Sequence, residues 1–244
     1  MQLLVVGAGE MGRWFARHSG ADSVAFADRE ATVAREAAAE RDDAQAVPLG
    51  TDESFDVVCL AVPMTAIPGA VAEHAPKATE AIVDVSGEMR DSIAALREHA
   101  DDRERASFHP LFSASNAPGN IPVVVDREGP VIEGIKATLS HAGNKVFETT
   151  PEEHDRAMET VQTKAHTAVL AYALADADDV DPRFHTTLSA PLEELVEQVV
   201  DNTPEVYAEI QARFEGSDEV AEAARALSDA DHETFIDLYG EAGR

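Results

Sequence analysis

The run Gly7-Ala8-Gly9-Glu10-Met11-Gly12 follows the apolar stretch Leu3-Leu4-Val5-Val6 and opens a helical pattern from Met11 to His18. Gly7 permits the tight turn, Gly9 lets backbone approach a ligand without a Cβ in the way, and Gly12 allows close helix–strand packing. The helix beginning there offers unpaired N–H groups and a positive dipole end, which together suit a pyrophosphate. Asp28 ends the next apolar run, 21 residues after Gly7, where a carboxylate can accept both ribose hydroxyls of NAD. Arg29 could pair with the 2′-phosphate of NADP, but Asp28 would repel it, so NAD is favoured over NADP. Glu10, Met11, Val62 and Pro63 complete the expected cofactor contacts at the rim.

A second group lies at Ser107-Phe108-His109-Pro110-Leu111-Phe112, which sets an imidazole at the carboxyl end of a strand. Open α/β sheets bind ligands there. Pro110 restricts His109 to extended geometry, and a held imidazole can take the proton of a substrate hydroxyl as its carbon gives up hydride. A third group, His154, Met158, Gln162 and His166, falls at successive i+4 steps, so two histidines and an amide border one helical stripe. The bland alternatives are a backbone-bonded histidine at position 109 and a helix-capping role near His154.

The elements that must carry these residues alternate strand and helix. Strands are expected over residues 1–6, 23–27, 55–62, 81–85, 106–108, 121–125 and 145–149. Helices are expected over 11–18, 30–42, 68–75, 90–100 and 130–142. This grammar implies parallel βαβ units with right-handed crossovers. After Pro151 only helical periods occur, broken at Asp181-Pro182, Thr203-Pro204 and Gly216-Ser217. The expected fold is α/β, a Rossmann-type doubly wound, mostly parallel sheet over residues 1–150, followed by an all-helical C-terminal domain over 151–244 for substrate and dimerisation.

The chain resembles the prephenate and arogenate dehydrogenases of tyrosine biosynthesis. The resemblance rests on the glycine turn, His109-Pro110-Leu111-Phe112, Glu153-His154-Asp155, Gln162, His166, Ser189-Ala190-Pro191 and the segment Thr203-Pro204-Glu205-Val206-Tyr207, in that order. It implies that His109 is the catalytic histidine, bonded to the ring hydroxyl of the substrate, and that His166 lies in the substrate pocket near a carboxylate, with His154 and Gln162 beside it. The implied reaction is an oxidative decarboxylation: hydride leaves the hydroxyl-bearing ring carbon for NAD(P), the para carboxylate leaves as CO2, and the ring becomes aromatic. It also implies a homodimer through the C-terminal helices, and Val196, Val199, Val200, Val206 and Ile210 are the apolar residues expected to bury surface between subunits.

Two positions depart from the family pattern. The family's serine near nicotinamide and its following lysine fall here on Gly87 and Met89, with Ser86 and Arg90 able to substitute from one residue away. The family's carboxylate-gripping arginine falls near Asn202, in a segment with no base. Arg90, Arg156, Lys164 or a residue of a partner subunit would have to compensate, or the substrate is arogenate, whose amino group favours an acidic pocket. A related dehydrogenase of another small acid and a non-catalytic dinucleotide-binding regulator are the competing readings.

With 19 basic and 47 acidic residues the net charge is −28. A carboxylate excess of that size repels nucleic acid and anionic lipid, and its dispersal along the chain suits a protein from a halophilic organism. Cys59, the single cysteine, lies in the apolar run 57–62 and is expected to be a buried thiol. No apolar run approaches the ~18 residues of a membrane span. A cytoplasmic protein acting on a small molecule, with no metal, is expected.

Overall fold

The computed structural model describes residues 1–175 and 180–243. The chain divides into two compact units, Met1–Asp155 and Arg156–Arg244. The first contains, in order, β1 (Gln2–Val6), α1 (Glu10–His18), β2 (Ser23–Ala27), α2 (Ala31–Ala39), β3 (Ala44–Ala46), β4 (Phe55–Leu60), α3 (Ile67–His74), β5 (Ala78–Val85), α4 (Arg90–His99), β6 (Glu104–Phe108), β7 (Asn120–Arg127), α5 (Pro130–His141) and β8 (Lys145–Glu148), and α6 (Pro151–Met158) starts within it.

Eight strands form one sheet in the order β3-β2-β1-β4-β5-β6-β7-β8. The chain begins at β1, runs outward to β3, then resumes at β4 on the other side of β1. The order therefore reverses between β1 and β4, and a doubly wound sheet opens its ligand crevice beyond the strand ends at that point. All neighbours are parallel except β6 and β7, where Phe108 opposes Val123 in an antiparallel ladder. The sequence grammar did not anticipate this turn-back. Its cause is local: between β6 and β7 the chain makes only a 3-10 turn, Ala114–Asn116, and no crossover helix is available to keep the strands parallel.

The central strands are apolar on both faces because helices cover both. In β1, Leu3 and Val5 join one core with Trp14 and Phe15 of α1 and Ile132, Ile135 and Leu139 of α5. Leu4 and Val6 point the other way, into a core with Ile67 and Val71 of α3 and Ile93 and Leu96 of α4. That period-two division makes the run a buried parallel strand. Cys59 is fully buried in β4, and burial pushes its thiol well above the ordinary range, as expected of an inert core cysteine.

Among its described residues the second unit contains helices and turns and no strand. A π-helical stretch, Glu159–Lys164, leads into α7 (Ala165–Ala175), followed by a 3-10 turn at Pro182–Phe184, then α8 (Ser189–Val200), α9 (Pro204–Arg213), α10 (Ser217–Asp229) and α11 (His232–Ala242). Pro204 opens α9, where a missing N–H is harmless. Asp231 caps α11 by accepting from the Thr234 N–H at 2.9 Å.

The glycine turn has little tolerance. A Cβ at Gly12 would lie 2.0 Å from the Gly7 carbonyl oxygen and 3.0 Å from Val5 Cγ1. Gly12→Ala is expected to lower the unfolding free energy by about 1–3 kcal/mol in urea titration; an unchanged midpoint would contradict this packing.

Candidate active site

Beyond β1 the chain turns at Gly7, whose φ of +95° is a left-handed conformation and whose absent Cβ would lie 2.2 Å from the Ala61 carbonyl oxygen. Gly9 differs: a Cβ there would meet nothing within 4 Å, so its face is open to a ligand. Asp28, at the end of β2, accepts from the Ala8 N–H through Oδ2 at 2.8 Å and from the Glu30 N–H through Oδ1 at 2.9 Å. These two bonds fix the turn to the strand end and leave each oxygen lone pairs for a diol. The open face over Gly9, the start of α1 and the fixed carboxylate fit a dinucleotide. Arg29 and Pro63 are exposed, and Met11 and Val62 are half-buried. Arg13 is engaged by Glu40 and by the Ala8 carbonyl.

At the end of β6, His109 is only 8% exposed. Its backbone N–H donates to Pro122 O at 3.0 Å, which continues the β6–β7 pairing past the strand end. Its Nδ1 lies 2.8 Å from His154 Nε2, and His154 Nδ1 lies 2.8 Å from Asp155 Oδ1. The same carboxylate accepts from the backbone N–H groups of Met89 at 3.1 Å and Arg90 at 3.3 Å, at the start of α4. Burial raises the Asp155 pKa, but the bonds from His154 and Met89 outweigh it and hold the carboxyl below its ordinary value. An ionised Asp155 accepts only, so His154 Nδ1 carries a proton, and in the neutral tautomer of His154 its Nε2 is the acceptor. In that tautomer His109 Nδ1–H donates to His154, and the lone pair of His109 lies on Nε2. Burial pushes His109 down to about 3. It is neutral at physiological pH.

His154, expected beside the substrate, has both ring nitrogens engaged, one by His109 and one by Asp155. Asp155 stands out in the sequence only within the motif Glu153-His154-Asp155, because an acid in the first turn of a helix is ordinarily a dipole partner. Its adjacency to His154 was the available signal. Arg90 is half exposed and its Nε lies 3.6 Å from Asp155 Oδ2. Ser86 is buried and accepts from the Glu88 N–H at 3.3 Å, which shapes the loop before α4. Gly87 lies against the reactive nitrogen: a Cβ there would be 3.7 Å from His109 Nε2 and 2.8 Å from Met64 Sδ. Met89, at the family's lysine position, is fully buried in the core.

Beneath this loop, Asp84 is fully buried and accepts from Ser107 Oγ at 2.8 Å and from Ser92 Oγ. Burial raises it to about 7 against the opposing pull of the two serines. The folded protein therefore retains a proton that the unfolded chain releases near pH 3.8. The stability this contributes is complete below that value and declines as pH rises towards 7. Asp84→Asn is expected to gain on the wild type by a few kcal/mol between pH 5 and pH 8 in paired urea titrations; a pH-independent difference would contradict it.

Gln162 and His166 belong to the second unit. Gln162 lies within the π-helical stretch Glu159–Lys164, and His166 follows it in α7. There the His166 ring meets Tyr207 edge-on at 4.7 Å, and burial lowers its pKa. Its Nδ1 is buried with no hydrogen-bond partner among the described residues. Gln211 braces the wide turn by donating to Thr163 O at 3.2 Å and Thr167 Oγ1 at 2.9 Å.

Fold and site define a dinucleotide-dependent oxidoreductase of Rossmann architecture. No protein-family model matches the chain. It is 28% identical over 218 residues to a 4-amino-4-deoxyprephenate dehydrogenase of Streptomyces pristinaespiralis, a match covering 76% of this chain and 69% of that protein. It is 24% identical over 211 residues to a probable arogenate/prephenate dehydrogenase of Methanocaldococcus jannaschii, covering 78% of this chain and 47% of that one. Among solved structures, the prephenate dehydrogenase of Aquifex aeolicus, in complex with hydroxyphenyl propionate and NAD+, superposes with a TM-score of 0.70 at 16% identity, over 100% of this chain and 96% of that one. At that identity the superposition establishes the fold. Curated and structural relatives both point to the prephenate/arogenate dehydrogenase family.

Proposed function

We propose that the chain is an NAD-dependent dehydrogenase that oxidises and decarboxylates prephenate or arogenate. The observation that carries this reading is the Asp155–His154–His109 chain, which presents one basic ring nitrogen at the carboxyl end of a strand. When bound at the Gly7–Gly12 turn, NAD supplies the hydride acceptor. Asp28 receives its ribose hydroxyls, and the same carboxylate disfavours NADP. His109 Nε2 accepts the ring hydroxyl's hydrogen bond as hydride leaves the carbon bearing that hydroxyl. Asp155, acting through His154, offsets the positive charge that develops on His109. The electron pair of the departing carboxylate completes the aromatic ring, and CO2 is released.

Ser86 and Arg90 are assigned to the substrate side of the loop before α4, and Gln162 and His166 to the substrate's distal end. The segment Leu192–Asn202 contains no basic residue, which favours a substrate with an amino group at that end. The Streptomyces relative supports a second reading, in which the reacting carbon carries an amine. Gly87 and the Met64 thioether beside His109 Nε2 demand no oxygen there, and an amine N–H can donate to His109 as a hydroxyl does.

The chain is further proposed to be a cytoplasmic homodimer from a halophilic organism. Leu174, Phe184, Leu188, Val200 and Val206 are exposed, and α7 carries no ionisable side chain except His166 and Tyr172 and buries none of its residues. A helix of that kind needs a covering surface. Ile210, by contrast, is only 4% exposed in the single chain. The net charge of −28 supports a salt requirement. Light scattering in molar KCl is expected to give twice the single-chain mass of 26.1 kDa; the single-chain mass would contradict the dimer.

Reduction of NAD is to be followed in molar KCl with prephenate, arogenate and the 4-amino analogue in turn. Turnover of one of them is expected, and NAD binding without turnover of any would leave the regulator reading. His109→Asn is expected to lower kcat by ~100-fold or more with NAD affinity within about twofold; equal losses in both would make His109 structural. The acid limb of kcat/KM is expected well below pH 6, since burial keeps His109 in its basic form; a limb at the ordinary histidine value of 6.5 would contradict that.

A further inference from the structure

Between the Leu111–Asn120 and His109–Pro122 backbone bonds, which close the β6–β7 turn-back at 3.0 Å each, the chain makes an excursion over residues 112–119. That excursion is held by α1 at two points. Phe112 packs edge-on against Trp14 with ring centroids 5.3 Å apart. The Ala114 N–H donates to Glu10 Oε1 at 2.7 Å, across 104 residues of sequence. Glu10 belongs to the glycine turn itself and is the first residue of α1.

We propose that Glu10 is a positioning residue that ties the dinucleotide-binding turn to the segment following His109. The turnover part of this inference rests on the proposed function; the binding and ordering parts do not. One carboxylate has two opposed effects here. As a hydrogen-bond acceptor it orders the segment that begins immediately after His109, three residues beyond Asp84's partner Ser107. As a negative charge in the first turn of α1 it favours the helix but opposes a second anion at the same N-terminus. The two effects fall on different measurements. Losing the acceptor loosens residues 110–119 and the placing of His109; losing the charge strengthens dinucleotide binding.

Local geometry allows the two to be separated. Ser113 has φ −76° and ψ 154°, the conformation required before a proline, and Ala114 is the first residue of its 3-10 turn. Ala114→Pro therefore removes the N–H donor without backbone strain and leaves the charge in place. Glu10→Gln keeps an oxygen acceptor and removes the charge. Each variant is compared with wild type by NAD affinity from calorimetry, amide hydrogen exchange over residues 110–119, and kcat. For Ala114→Pro the expected result is NAD affinity within about twofold, with exchange about tenfold faster and kcat about tenfold lower. For Glu10→Gln it is NAD binding roughly threefold to tenfold tighter, with wild-type exchange. Wild-type exchange in Ala114→Pro would overturn the proposal, as would accelerated exchange in Glu10→Gln. Should the wild type turn over none of the proposed substrates, the exchange and affinity results still decide whether Glu10 acts in this way.

Discussion

Asp155 holds together groups that are far apart in sequence. Its carboxylate takes the backbone N–H groups of Met89 and Arg90 at the start of α4 and the Nδ1 proton of His154, while remaining almost entirely buried. A buried carboxylate with fewer donors would take up a proton or draw in water. With these donors it stays ionised, and an ionised acceptor requires the proton of a neutral His154 to sit on Nδ1. That requirement passes through His154 to His109. The direction in which His109 presents its lone pair is therefore set one imidazole away, by the helix that begins with Pro151.

The same device recurs where loops must be held at the open end of the sheet. Asp28 takes the Ala8 and Glu30 N–H groups, Glu10 takes the Ala114 N–H, and Asp84 joins β5 to β6 and α4 through two serine hydroxyls. Strand ends and helix starts expose backbone donors that nothing in a regular element can satisfy. In a chain this rich in acids, a carboxylate is the ready acceptor. The surface charge and the internal order thus draw on one residue type used in two environments, hydrated outside and fully bonded within.

Much of the nucleotide-binding unit is legible from residue order. The glycine turn, Asp28 and the apolar strands answer to local rules: a left-handed φ at Gly7, a strand end 21 residues on, alternating faces covered on both sides. The antiparallel β7 is less legible, because a missing crossover helix looks in sequence like any loop. Asp155 was hidden by its place in the first turn of a helix, where acids are common for a lesser reason. The wide turn at Glu159–Lys164 was not legible either, since a π-helical stretch has no signature in spacing. Met64 and Gly87 meet only because the ends of β4 and β5 are neighbours, a fact of topology that a short 3-10 turn after Pro63 does not announce.

Nitrogen-15 NMR of the histidine side chains tests the central claim most directly, since it reports which ring nitrogen carries the proton without requiring substrate or turnover. For His109 the chain from Asp155 through a neutral His154 places Nδ1–H towards His154 and a lone pair on Nε2 at pH 7, with the His109 ring still uncharged as the pH falls to 5. A lone pair on His109 Nδ1, or a charged His109 imidazolium at pH 6, would contradict it.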